Sequence, residues 1–222
     1  MLRDARTVAA KDLRLEWRSK VAANQIIPFA VLVLVVFAFA VDADAAVLRR
    51  IAPGLFWVAL LLSTLLAAGR SVAVESADGL PDGLRLSGLE PAGIFLGKAG
   101  ALAVQLVAVE IVLTIGIVIF YDVRIDDLVL YAAAAAVGTL TLAAVGTLYG
   151  VLSLGLRVRE TLLPLLVVPA VAPVLLAGTR AHERALDQVT GSGWAWVGLL
   201  AVIAVVYVSA GLAAYGSLLE EA

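Results

Sequence analysis

The sequence predicts an all-α integral membrane protein of six transmembrane helices, and three observations carry that prediction. Composition is the first: 63% of the 222 residues are hydrophobic and 15% are charged. A soluble domain is about a quarter charged, and a soluble fold of this length has no interior for so much apolar surface. The second is the clustering of charge. Residues 21–41, 51–69, 128–156, 161–179 and 188–219 contain no Asp, Glu, Lys or Arg, and residues 99–121 contain Glu110 alone. About 20 apolar residues cross a hydrocarbon core of about 30 Å, and each stretch reaches that length or nearly so. The third is the absence of period-two alternation, the mark of a membrane β-barrel. Lipid satisfies no backbone polar group, so runs of this kind must be helices.

The first 20 residues read as an interfacial helix. Ala5, Ala9, Leu13 and Trp17 recur every fourth residue as an apolar stripe, while Arg3, Lys11, Arg14 and Arg18 fall opposite. A helix with that division lies in the headgroup plane with its cations toward anionic lipid. Spans follow at about 21–41, 51–70, 95–120, 128–155, 161–178 and 194–216, within a single membrane domain covering residues 1–222. Ala38-Phe39-Ala40 has the look of a signal-peptidase site. The long, charge-mixed segment before it, with Asp4, Asp12 and Glu16, argues for a retained span instead.

Basic residues set the orientation. Arg3, Arg6, Lys11, Arg14, Arg18, Lys20, Arg70, Arg85, Lys98, Arg157 and Arg159 fall on one side, against Arg49, Arg50, Arg124, Arg180 and Arg184 on the other. The richer side stays inside, so both termini are expected in the cytoplasm. A net charge of −2 makes nucleic acid an improbable partner, and the absence of Cys removes disulfides and thiolate chemistry. One His without Cys makes no ordinary zinc cluster, so no metal site is expected.

The segment between the second and third spans, residues 75–98, alternates charge with Leu80, Leu84, Leu86 and Leu89. It is amphipathic, with Pro91 and Gly93 expected to break any helix. Such a segment either docks in a groove of a partner or rests on lipid headgroups, and both readings stand. Gly93 to Lys98 does not form a phosphate-binding loop: three residues separate Gly93 from Gly97, and Ala99 follows the lysine.

Within the spans, Glu110 lies near mid-membrane, where a carboxylate usually faces a bundle interior or cavity. It either takes part in passage and gating or forms a packing hydrogen bond, with Gln105 or a hydroxyl of another span as partner. Pro164, Pro169 and Pro173 in the fifth span each remove a backbone hydrogen bond. They predict a kinked or broken, cavity-lining hinge. Gly146 and Gly150 have the spacing that permits close helix contact. His182, placed in the last external loop, is the one candidate axial haem ligand, read against a merely solvated histidine.

Several stretches together carry a resemblance. They are Asp12-Leu-Arg-Leu-Glu-Trp-Arg-Ser-Lys20, Ala52-Pro-Gly-Leu-Phe-Trp-Val-Ala59, and Leu96-Gly-Lys98 ahead of Glu110. The fourth is Arg159-Glu-Thr-Leu-Leu-Pro-Leu-Leu-Val-Val-Pro169 with Pro173-Val174. Over essentially its whole length the chain resembles the haem exporter protein B family (CcmB), the permease subunit of the cytochrome c maturation ABC transporter. The loop around residues 75–98 also resembles the coupling helix of ABC-2-type export permeases, although Ser87-Gly-Leu-Glu-Pro91 departs from the usual Ser-Pro turn.

The resemblance implies an ABC-2-type permease in the bacterial inner membrane, without enzymatic activity of its own. A cytoplasmic ATPase subunit would hold the ATP and engage Glu75, Asp78, Asp82, Leu84, Arg85, Leu86 and Lys98. A haem-handling membrane subunit, a small membrane subunit and a second copy of this chain are the further partners implied, amid membrane lipid. Haem is the implied substrate. Either it passes through this subunit, or hydrolysis moves the subunit to release a haem-loaded periplasmic chaperone. Two alternatives remain: an ABC-2-type exporter of a lipid-linked glycan or small molecule, and a membrane scaffold that transports nothing.

Overall fold

A computed structural model describes residues 1–20, 22–42, 44–77, 88–154 and 159–221. Among them the chain forms seven α-helices and no strand. Helix α1 is Leu2–Ser19. A π-helical turn at Ala22–Ile26 leads into α2, Ile27–Ala40. The cause is Pro28, whose ring has no N–H and crowds the carbonyl four residues back, so the entering turn widens. Helix α3 is Ala45–Ala77, α4 is Pro91–Tyr121 and α5 is Leu128–Leu154. Arg159–Ala185 forms α6 and Trp194–Glu221 forms α7.

Six segments are long and apolar enough to cross a membrane: Ala22–Ala40, Ala45–Val74, Pro91–Tyr121, Leu128–Ser153, Leu163–Ala185 and Trp194–Glu220. The protein is a multi-pass all-α membrane protein. Helix α4, with 31 residues, is about 46 Å long at 1.5 Å per residue and overruns the hydrocarbon core at its ends.

Side-chain caps start several helices. Asp44 accepts the backbone N–H groups of Ala46 and Val47 at 2.8 and 3.0 Å before α3. Asp127 accepts that of Leu130 at 2.9 Å before α5. At the end remote from α1 the connections are tied to one another. The amides of Asp126 and Asp127 donate to the Ala185 carbonyl. Arg49 reaches Asp122 at 2.7 Å, and Gln188 donates to the Arg49 carbonyl at 2.6 Å.

Helix α3 is central, packed against α2, α4, α5 and α6. Its Phe56, Trp57 and Leu60 are fully buried. The indole of Trp57 fits only because its neighbours are glycines: a Cβ at Gly138 of α5 or Gly178 of α6 would fall on its ring. Gly146 and Gly150 let α5 lie close to α3, beside Ala68 and Val72. Helices α2, α6 and α7 turn apolar side chains outward, among them Leu32, Phe39, Leu165, Leu176 and Val205. That is the ordinary condition of lipid-facing helix surfaces.

Several sequence expectations change. Pro91 begins α4 directly after the non-helical residues 88–90, so a break does fall there, whereas Gly93 lies inside the helix and breaks nothing. Proline at the first helical position loses no hydrogen bond, because that N–H has no intrahelical partner. The three prolines of α6 do not break it, since Arg159–Ala185 is one continuous helix. Pro169 and Pro173 are exposed on its outer face, and Pro164 borders a groove. In α1 the buried residue is Val8, which lies outside the apolar stripe and meets α4 at Gly97; Trp17 of that stripe is exposed, as the headgroup-plane reading has it. Packing on α4 therefore takes the face that carries Ala5, Val8 and Asp12.

Candidate functional site

Glu110 of α4 is buried, and its carboxylate accepts a short hydrogen bond from the Thr139 hydroxyl of α5. Its partner is a hydroxyl of another span, not Gln105. One turn on, Thr114 shares a 3.0 Å hydrogen bond with the hydroxyl of Tyr131. Glu110 and Thr114 lie on one face of α4 by their four-residue spacing, and Tyr131 and Thr139 answer from α5. Two inter-helix polar contacts thus tie α4 to α5 within the spans. In hydrocarbon an unpaired polar group is costly, so such pairs fix helix register.

The same Tyr131 leads to His182. The two rings stack with centroids 4.1 Å apart and planes 10° from parallel. Phe56 packs on the imidazole at 4.9 Å and Trp57 at 5.2 Å. The imidazole Nε2 lies 3.3 Å from the Tyr131 carbonyl, which can only accept, so Nε2 carries the proton. Nδ1 and the Trp57 indole N–H are buried without a hydrogen-bond partner. The expectation that His182 sits in an external loop is corrected: it lies in the last turns of α6 and has no exposed surface. A haem axial ligand needs an open nitrogen lone pair, and neither ring nitrogen is open in this arrangement.

Lys98 also moves. It lies in the second turn of α4, buried, with Nζ 3.5 Å from the Asp12 carboxylate of α1. Lys11 reaches the other oxygen of Asp12 at 3.1 Å. Gly93 and Gly97 bring α1 this close: a Cβ at Gly97 would lie 2.6 Å from the Ala5 carbonyl and 2.7 Å from Val8. The Met1 amino group adds an ion pair with Glu90 at 2.6 Å. Lys98 therefore belongs to the α1–α4 contact and not to an exposed loop.

Among the other expected loop residues, Glu75 falls in the last turn of α3. Asp78, Asp82, Leu84, Arg85 and Leu86 lie outside the described residues. Gln105 is half-buried and lines two adjoining cavities beneath α1, with Asp12 and Ser71. No group of three or more His, Asp or Glu able to hold a metal is found among the described residues.

Sequence reasoning missed Asp12, Thr114 and Tyr131. A carboxylate inside an otherwise basic amphipathic helix was the available signal for Asp12. For Tyr131 and Thr114 there was none, because their pairing depends on the register between α4 and α5.

The chain matches the CcmB protein family over residues 3–220. Heme exporter protein B of Paracoccus denitrificans is 31% identical over 183 residues, covering 78% of this chain and 80% of that protein. Heme exporter protein B of Pseudomonas aeruginosa is 30% identical over 203 residues, 88% of each. The Haemophilus influenzae protein of that name is 29% identical over 199 residues, 89% of this chain and 90% of its own length. A match that runs through α1, the Asp12–Lys98 contact and all six spans makes this chain a member of the CcmB protein family.

Proposed function

We propose that this chain is the permease subunit of an ATP-driven complex for haem export in cytochrome c biogenesis, in the bacterial inner membrane. The observation that carries the reading is the family match from residue 3 to residue 220, with relatives named heme exporter protein B over four-fifths or more of their length. The excess of Lys and Arg at the α1 end supports a cytoplasmic N-terminus. ATP is held by a separate cytoplasmic subunit that docks on the segment from Glu75 toward Glu90. A haem-handling membrane subunit, a small membrane subunit and a second copy of this chain complete the assembly.

One observation favours motion over passage. The Trp57 indole fills the space between α3, α5 and α6 so closely that no methyl fits at Gly138 or Gly178. That part of a single chain leaves no porphyrin-sized path. In this version hydrolysis shifts the subunit against its neighbours and frees a haem-loaded chaperone. Haem is the substrate of the complex in either version.

The test is complementation. Cells lacking their own permease subunit receive this chain with its native partner subunits, and covalent haem in periplasmic c-type cytochromes is stained. Restored staining together with co-purification of an ATPase is expected. Transport of a glycan or drug without any restored cytochrome would overturn the reading.

A further inference from the structure

Beneath α1 lies a cavity of about 210 Å³, roofed by Lys11, Asp12, Glu16 and Ser19 and floored by α3 and α4. On the outer side of α3 a groove of about 520 Å³ runs between α2, α3 and α6. The two share Arg70 and Ile26 in their walls. The inner one has mainly apolar walls that carry a set of charged and polar side chains, with Arg70, Ser71 and Gln105 across from Asp12 and Glu16 of α1. The outer one is apolar, lined by Phe29, Leu62, Leu65, Leu66 and Pro164. Along α3 the groove runs from Arg70 back to Leu62, about 12 Å at 1.5 Å per residue. A chamber with charged side chains in its walls thus opens at the membrane interface onto a groove that runs along α3 into the hydrocarbon.

Arg70 stands at the junction. Among the described residues it has no hydrogen-bond or ion-pair partner, whereas Lys98 and Lys11 are both held by Asp12. Gln105, on the opposite wall, likewise has no hydrogen-bond partner among the described residues. A half-buried guanidinium with no ion-pair partner among the described residues is costly at the edge of a membrane, and its planar fork matches a phosphate. Glu16 in the same chamber supplies a carboxylate, part of which accepts the Ala22 backbone N–H.

We infer that this site binds one glycerophospholipid from the leaflet in which α1 lies. Its phosphate pairs with Arg70, an ammonium headgroup faces Glu16, and one acyl chain fills the groove along Leu66 and Leu62. Basic pockets between transmembrane helices hold lipid headgroups by this chemistry. The lipid bridges α1 to the α2–α3–α6 face, so the interfacial helix is held by lipid as well as by α4.

The experiment uses the full chain in mild detergent and native mass spectrometry. The probes are dioleoyl-phosphatidylethanolamine, dioleoylglycerol and inorganic phosphate. About one phosphatidylethanolamine per chain is expected, with dioleoylglycerol and phosphate each bound about tenfold more weakly. Arg70→Gln removes the phosphate partner, and Gly69→Phe fills the groove, where Leu163 is its nearest neighbour at 3.7 Å. Each should lower lipid occupancy about tenfold, while Arg50→Gln at the remote end changes nothing. If either variant elutes as aggregate, Arg70→Lys, which keeps the charge but not the fork, reads the same contact with an intermediate loss. Undiminished occupancy in Arg70→Gln or Arg70→Lys overturns the site, as does equal binding of dioleoylglycerol or of phosphate alone. A dimer of this chain that Gly69→Phe converts to monomer also overturns it, by showing that a second copy covers the groove.

Discussion

Lys98 of α4 and Asp12 of α1 face each other at 3.5 Å with 6% and 16% of their side-chain surface exposed. Placed 86 residues apart, they join an interfacial helix to the first turns of a membrane span. Gly97 and Val8 supply the close approach, and the ion pair supplies the register. An amphipathic helix held by lipid alone slides and rotates in the interface; this pair fixes α1 to one face of α4.

Removing one partner of a buried pair leaves the other charge uncompensated. Asp12→Asn should therefore destabilise the α1–α4 contact by about 3 kcal/mol. Limited proteolysis should then cut α1 at Arg3, Arg6 and Arg14 while the spans stay intact. The double variant Asp12→Leu with Lys98→Met removes both charges and should recover most of the loss, because a well-packed apolar pair often equals a buried ion pair. Equal protease resistance in Asp12→Asn and the parent would show that glycine-mediated packing suffices.

The contrast between α1 and the spans shows what sequence patterns carry. Six apolar stretches mark six crossings because lipid imposes one requirement on all of them, internal backbone hydrogen bonding. The positions of Glu110 and Gln105 within α4 follow from that. Which face of α1 meets α4 does not: the four-residue stripe through Trp17 marks a face for the headgroup plane, whereas two glycines on α4 select Val8 for the contact between the helices. His182 was misplaced for a related reason. Arg180, Glu183 and Arg184 around it look like a solvated loop, yet α6 continues to Ala185 with those charges outward and the imidazole inward. Charge density in sequence cannot say which side of a helix is charged when its phase is set by Tyr131 and Phe56.

Glu110 offers a separable test of charge and shape. Gln keeps the contact with Thr139 and removes the titratable proton, so assembly yield should match the parent. Leu removes the hydrogen bond and leaves the Thr139 hydroxyl unpaired, which costs about 1–3 kcal/mol and should lower yield. If the charge takes part in the cycle, Glu110→Gln assembles but supports cytochrome c maturation about tenfold less well. Parental maturation in Glu110→Gln would assign the residue to packing alone.

Gly138 should tolerate nothing larger. A methyl there meets the Trp57 ring, which Gly178 confines from the other side. Gly138→Ala is expected to cost about 1–3 kcal/mol through overpacking, read as a lower unfolding temperature in detergent. Trp57→Phe in that background should recover part of the loss, since the smaller ring vacates the space. A purely additive double variant would place the strain elsewhere.

His182 separates packing from ligation. Phe has nearly the same stacking face against Tyr131 and no ring nitrogen. Its hydrogen bond to the Tyr131 carbonyl is lost, worth about 1 kcal/mol. The buried, unpartnered Nδ1 is lost as well, which offsets part of that. His182→Phe should therefore fold within about 1 kcal/mol of the parent and support cytochrome c maturation at the parental level. His182→Gln keeps polar atoms without the ring and should do worse on both measures, because the stacking with Tyr131, Phe56 and Trp57 is what the site needs. Axial ligation predicts a different outcome in an absorbance spectrum of the haem-loaded complex: both variants would lose or shift the haem band. A band unchanged in His182→Phe, with maturation intact, would fix the imidazole as a packing element between α5 and α6.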